Sequence, residues 1–236
     1  MIDLVDCSPE LACLRFEALY HRDRRGRLVS INEWNGGAAP RFHLMRTARK
    51  SFGQFHADLA DDLVVRLDEL RAQEPIGGRQ GKWPGLRSKY LELLAFHAPV
   101  ARVWGGPVFT FPDDMAADVG TVSINETNGH LLRGGFDDWL PDICYRQPFC
   151  AVVEGNRAVS ICASVRITDA VHCAGVETLA GHRRRGHAVC AVARWALTVR
   201  SLGASPFYST SWDNEASRRV AARLHLAPIG IDFHAT

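Results

Sequence analysis

One stretch of this 236-residue chain has the residue types and spacing of an anion site. The run Gly175-Val-Glu-Thr-Leu-Ala-Gly-His-Arg-Arg-Arg-Gly-His-Ala188 places a strand, a basic glycine-containing loop and a helix start in immediate succession. Backbone N–H groups in the first turn of a helix have no intrahelical partner, and the helix dipole favours negative charge there. Gly186 has no Cβ to hold a phosphate away from the backbone, and the small Ala188 keeps the next turn open. Arg183, Arg184 and Arg185 can add charge-assisted bonds to phosphate oxygens. His182 and His187 flank the arginines as loop histidines, with phosphate contact a further role open to His187. Neither G-x-G-x-x-G nor G-x-x-x-x-G-K-[ST] occurs, so the usual dinucleotide and P-loop readings fall away. The arginine run lacks interleaved aromatics and sits at a strand-to-helix junction, which favours a small cofactor's phosphate over nucleic acid.

The elements that must hold this loop are legible around it. Phe149–Glu154 and Ala158–Ile167 are apolar runs separated by Gly155-Asn156-Arg157, the signature of a β-hairpin. Val171–Leu179 reads as a strand, and Gly186–Leu202 as a helix with Val189, Val192, Ala193, Ala196, Leu197 and Val199 on its apolar side. Gly203 stops that helix. Phe207–Trp212 is a strand, Glu215–Leu224 a short helix and Ile229–His234 a final strand, giving the order β-β-β-α-β-α-β.

The preceding part reads less sharply. A short helix is expected around Pro9–Tyr20, followed by a basic solvated turn over His21–Arg27. Leu59, Leu63, Leu67 and Leu70 recur at helical spacing in Ala57–Gln73, with Asp58 as the expected N-cap. Ile76–Pro84 reads as loop and Ser88–His97 as a second helix. Val103–Phe111 is expected to be a strand interrupted or bulged at its glycines, and Asp113–Gly120 a linker. A helix beginning at Asn125 or Thr127 is expected to run toward Ile143, with Leu131, Leu132, Phe136, Trp139 and Leu140 inward and Gly134-Gly135 weakening its middle.

Bulk composition sets limits on class. Hydrophobic residues form 47% of the chain and charged residues 23%, so it can bury a core. The length favours one large domain or two modest ones. A net charge of +2 gives no global field of the kind that marks a nucleic-acid or membrane binder. Seven cysteines without a C-x-x-C pair argue against a disulfide framework and against a zinc site, so no metal is expected. With no basic leader and no apolar run of about 18 residues, a soluble cytoplasmic protein is expected.

Arg183-x-x-Gly186-x-Ala188 resembles the R/Q-x-x-G-x-G/A signature by which members of the GNAT (GCN5-related N-acetyltransferase) superfamily hold the pyrophosphate of coenzyme A. A second resemblance follows downstream in Ser209-Thr-Ser-Trp-Asp-Asn214-Glu-Ala-Ser217. The resemblance implies an α/β (α+β) GNAT fold with a central mixed, mostly antiparallel sheet over residues 99–236. Residues 1–98 would form a smaller α/β region that shapes the acceptor site or a homodimer contact. It further implies acetyl-CoA or coenzyme A as cofactor, with Asn214 and Ser217 touching it. The pantetheine arm would bond backbone near Val176 and Thr178, in a gap between the Val171–Leu179 and Phe207–Trp212 strands.

Acyl transfer to an amine needs a base, because an ammonium has no lone pair to attack a thioester. Glu177 is the candidate on that strand, and binding a structural partner is its plainer role. Many relatives carry a tyrosine general acid where this chain has Ala221; Tyr208, Ser209, Cys190 or water could protonate the departing thiolate instead, or no dedicated acid is needed, because a thiol of pKa about 8.5 leaves readily. Alternation along Ser160–Arg166 would put Cys162, Ser164 and Arg166 on one face beside the acceptor, where Arg166 could meet an acidic group; a salt bridge is its plainer role. The expected function is N-acyl transfer, most simply of acetyl, to a small-molecule or peptide amine by direct attack in a ternary complex. A coenzyme A binding sensor without turnover is the alternative, motivated by Ala221.

Overall fold

The computed structural model describes residues 1–116 and 120–236; the stretch read as a linker extends over 117–119, outside the described residues. Along the chain come β1 (Ile2–Asp3), α1 (Pro9–Leu19), β2 (Tyr20–Arg22), β3 (Leu28–Ile31), β4 (Phe42–Arg46), β5 (Ser51–Phe55) and α2 (Asp61–Ala72). They are followed by β6 (Arg79–Gln80), α3 (Arg87–His97), β7 (Val103–Thr110), β8 (Thr121–Ser123), β9 (Phe149–Glu154), β10 (Arg157–Ile167) and β11 (Val171–Thr178). The chain ends with α4 (His187–Ser201), β12 (Ser205–Ser209), α5 (Glu215–Arg223) and β13 (Ala227–Ala235). This closing order is the one read from the sequence.

Two compact units emerge, one made of Met1–Thr110, Ser209–Arg218 and Ala227–Thr236, the other of Phe111–Tyr208 and Arg219–Leu226. The division expected near residue 99 is therefore corrected. Strand pairing is the reason: β13 lies between β4 and β7, so the last strand of the chain completes the sheet of the first unit.

In the first unit β5, β4, β13 and β7 run in that order, each antiparallel to its neighbour. Phe42, Leu44, Leu63, Leu67, Tyr90, Leu94 and Phe233 form its core, with the α2 leucines supplying the helical stripe. Asp58 does not cap α2. The helix begins at Asp61 after Ala60, and the Asp58 backbone N–H donates instead to His56 Nδ1 at 3.2 Å. The Gly105-Gly106 pair does not interrupt β7, which stays in register with β13; the irregularity falls between Pro228 and Gly230 on the partner. Glycine is required at 106 by close approach, since a Cβ there would lie 1.7 Å from the Thr210 carbonyl oxygen. Beneath the sheet a polar cluster is closed from water: Arg15 Nη2 donates to Asp232 Oδ2 at 2.5 Å, His43 Nε2 lies 3.1 Å from Asp232 Oδ1, and His43 Nδ1 meets the Tyr20 hydroxyl at 2.7 Å.

In the second unit the order is β12, β11, β10, β9, β8, parallel between β12 and β11 and antiparallel elsewhere. This is the mixed, mostly antiparallel sheet that was expected. Gly155 and Asn156 both have positive φ, +54° and +62°, which is the type I′ geometry that matches the twist of a two-residue hairpin. Helix α4 buries Ala191, Val192, Trp195, Ala196 and Val199 against β9, β10 and β11. The opposite face carries Ile124, Leu131, Leu132, Phe136, Ile143, Phe149 and Ile161.

The single helix expected toward Ile143 does not form. Two 3-10 segments, Gly129–Leu132 and Asp137–Tyr145, take its place. Gly134 at φ +72° breaks the run, and Pro141 inside the second segment cannot donate to an α-helical ladder. The inward residues are nevertheless those that were read, because burial of Leu131, Leu132 and Phe136 tolerates either helical form.

Candidate coenzyme and acyl-transfer site

Strand β11 carries the site. It pairs with β12 at Val171↔Ser205, His172↔Pro206 and Cys173↔Phe207, and among the described residues this pairing goes no further. On its other edge β11 stays paired with β10 up to Thr178↔Ser160. Ala174 to Thr178 therefore keep one edge unpaired by β12, with backbone groups that a linear amide-bearing ligand could satisfy as an added strand would. Val176 and Thr178 lie on this length, and the Thr178 hydroxyl is 2.7 Å from that of Ser160.

After β11 the chain makes a 3-10 turn at Ala180–His182, then the arginine loop, then α4. Arg183 Nε donates to the Thr178 carbonyl at 3.2 Å, and Arg184 has φ +63°. Gly186 is the N-cap, at φ +92° with no side-chain capping bond. Its carbonyl accepts the first helical bonds from Val189 (2.9 Å) and Cys190 (3.2 Å), so the amides of His187 and Ala188 precede the ladder. A Cβ at Gly186 would find no atom closer than the Arg223 guanidinium at 3.6 Å, which leaves open space over the turn. The first turn of α4 has no acidic residue to offset the positive end of the dipole. By its early amides, its arginines and the open space over the turn, this is a candidate anion cradle. His187 faces elsewhere as well: its Nε2 is 3.1 Å from Glu154 Oε1, while His182 Nδ1 is 3.0 Å from Glu154 Oε2.

Glu177 is exposed on the β11 face turned away from α4, and Trp139 Nε1 donates to its Oε2 at 2.8 Å. The indole is held in turn by Arg146, whose guanidinium lies 4.6 Å from the ring centre, and by an edge contact with Phe149. Gly175 leaves room for this arrangement, since a Cβ there would meet Val165 at 2.3 Å and the Trp139 ring at 3.2 Å. Trp139, expected on the inward side of its segment, therefore also has a polar role. Its polar role was invisible because it lies 38 residues from Glu177 on a segment of different local structure.

The substrate-facing triplet is corrected. Register shifts between Ser164 and Arg166, so the alternation that would align Cys162, Ser164 and Arg166 breaks at a bulge. Cys162 and Ser164 are 0% exposed, on the β10 face that α4 covers. Burial, with Cys150 nearby, pushes the Cys162 thiol well up. Ser164 Oγ accepts from Trp195 Nε1 at 3.0 Å and meets His172 Nδ1 at 2.9 Å, a closed polar link between sheet and helix. Burial lowers the His172 pKa. Arg166 is half-buried and donates to the Val165 carbonyl at 2.8 Å.

Tyr208 follows the last position at which β12 pairs with β11 and is 2% exposed. Ala221 is 1% exposed. Asn214 and Ser217 belong to the first unit, where Asn214 Oδ1 accepts the Ser217 N–H at 3.0 Å in N-cap geometry ahead of α5.

Neither a family model nor a curated protein matches this chain. Among solved structures it is similar to a GNAT-family chain from Novosphingobium aromaticivorans, at 18% identity and TM-score 0.46, over 58% of this chain and 65% of that one, just under two thirds of its length. It is also similar to a GCN5-related N-acetyltransferase-like protein from Streptococcus suis, at 14% identity and TM-score 0.47, over 84% and 85% of the two chains. A GNAT-family acetyltransferase from Colwellia psychrerythraea matches at 13% identity and TM-score 0.47, over 78% and 76%. No helix among the described residues is long and apolar enough to cross a membrane.

Proposed function

We propose that this protein is an acyl-coenzyme A dependent N-acyltransferase of the GNAT type, most simply an acetyltransferase acting on an amine. The observation that carries the reading is the continuity of β11 with the Arg183–Ala188 loop. An edge of β11 left unpaired by β12 leads directly into a helix start whose early amides, glycine N-cap and arginines suit a pyrophosphate. In this reading the amides of His187 and Ala188 and the side chains of Arg183, Arg184 and Arg185 hold the phosphates. Backbone at Val176 and Thr178 takes the pantetheine amides, and Asn214 and Ser217 remain contacts implied by the sequence motif.

Bound acyl-coenzyme A supplies a thioester carbonyl carbon. Glu177 receives the proton that the acceptor ammonium must lose before its nitrogen can form the new C–N bond. Trp139 fixes the carboxylate through Oε2 and leaves Oε1 to face the amine or a bridging water. The C–S bond then breaks, and the thiolate takes the second proton, which the nitrogen sheds on becoming an amide. A thiol of ordinary pKa, about 8.5, leaves without a strong acid, so a buried Tyr208 need not donate directly.

A second reading has support in Ala221, a buried methyl at the place where relatives carry the tyrosine acid: a coenzyme A binding sensor without turnover. Purified protein incubated with acetyl-coenzyme A and a library of amines, with free thiol followed, separates the two. Amine-dependent thiol release supports the transferase. Tight coenzyme A binding with no release across small amines, polyamines, amino acids and peptides supports the sensor.

A further inference from the structure

Three side chains that the transferase reading leaves unused converge at the base of the arginine loop. Glu154 ends β9, His182 closes the turn after β11, and His187 opens α4. Glu154 Oε2 is 3.0 Å from His182 Nδ1 and Oε1 is 3.1 Å from His187 Nε2, and one ligand atom from each residue lies within 4.8 Å of the others. Both ring nitrogens are closed off from water without a hydrogen bond of good geometry. Glu154 is exposed and the histidines are half-buried, so the cluster opens to solvent on the carboxylate side.

We infer that Glu154, His182 and His187 form a binding site for a divalent transition ion of the zinc class. Two imidazoles and one carboxylate are the donor set such ions prefer, and three protein ligands leave one position for water or another oxygen. Bonds of about 2.1 Å at tetrahedral angles separate ligand atoms by about 3.4 Å. The carboxylate-to-imidazole distances of 3.0 and 3.1 Å are already near that edge, and only the two rings need approach, from centroids 6.3 Å apart. Arg185 Nη1, 3.7 Å from Glu154 Oε2, opposes a cation there, but its side chain is largely exposed and free to swing outward. The ion would clip the end of the β9–β10 hairpin to both ends of the loop, restraining Arg183–Gly186 before any anion arrives. Composition gave no hint of this, because the three ligands come from separate elements and no cysteine takes part.

The test uses tag-free, full-length protein and Co2+ or Zn2+ alone, without coenzyme A, so that its failure is distinct from failure of the transferase reading. Calorimetry should show one Zn2+ bound at micromolar concentration. The Co2+ complex should show visible d–d absorption without the near-ultraviolet band of a thiolate ligand. His182→Ala with His187→Ala should lose at least roughly 100-fold in affinity, the upper end of what removing even an indirect partner costs. His182→Cys should keep cobalt and gain the thiolate band, a signature that a purely structural role for the residue cannot produce. Absence of micromolar binding, binding undiminished in the double variant, or a thiolate band in the unsubstituted protein would overturn the site.

Discussion

Replacing Gly186 with valine asks whether the phosphates sit where the loop places them. At φ +92° an L-residue meets its own backbone, at about 1–2 kcal/mol for an ordinary side chain and more for a β-branched one. The surrounding protein adds little, because the nearest atoms to the new Cβ are the Arg223 guanidinium nitrogens at 3.6 and 3.8 Å. If the free loop relaxes out of the left-handed region, returning to it on binding weakens coenzyme A affinity by roughly 5- to 30-fold, at 1.4 kcal/mol per decade. If the loop keeps its shape, the strain lowers Tm by roughly 2–8 °C, and the side chain still stands over the amides of His187 and Ala188. Both routes predict a dissociation constant for coenzyme A at least about fivefold higher by calorimetry. Gly181 is the control: it lies in the 3-10 turn just before the arginine loop, its φ is not positive, and a Cβ there meets nothing within 4 Å. Gly181→Ala should leave affinity unchanged. An affinity within twofold of the parent for Gly186→Val, with a lowered Tm proving the strain is present, would refute the phosphate placement.

Glu177→Gln should cut amine-dependent turnover by roughly 10²- to 10⁴-fold while leaving coenzyme A affinity intact, and Trp139→Phe should give a smaller loss with the same split; equal activity of Glu177→Gln removes it as base. Asp232→Asn should destabilise by about 3–5 kcal/mol in urea melts near neutral pH, since Arg15 and His43 are left buried beside a neutral group. Burial by itself would raise the Asp232 carboxyl, but Arg15 and then His43 outweigh it and hold it at about 2, against 3.8 when free. A depressed carboxyl stabilises the fold above pH about 4, and about 2 kcal/mol of that is lost as pH falls through 2, so the gap between the parent and Asp232→Asn should narrow across this window. A gap constant from pH 7 to 2 contradicts the assignment. Trp195→Phe leaves the buried Ser164 hydroxyl without its indole donor and should lower stability by about 1–3 kcal/mol, read by denaturant midpoint, without changing coenzyme affinity.

The loop and its flanking elements were legible because their signals are local. Gly155-Asn156, the α4 stripe and the Arg183–Ala188 pattern each lie within a few residues of what they determine, and dihedral preference or helical period decides them directly. The segment from Asn125 to Ile143 shows the limit: apolar spacing named the inward residues but could not weigh Gly134 and Pro141 against a continuous helix. The Cys162–Arg166 face failed for a similar reason, since a one-residue bulge reverses alternation and depends on the partner strand.

What the sequence determined by itself was a class of fold, a glycine- and arginine-bearing loop that opens a helix, and a carboxylate on the strand before it. Tertiary structure alone decided that β13 closes the first unit's sheet, that Trp139 holds Glu177, and that Glu154 joins His182 and His187 across three elements. The physical reason is separation along the chain. Partners brought together by sheet pairing and packing leave no periodic trace in either segment, so their chemistry exists only once the chain has folded.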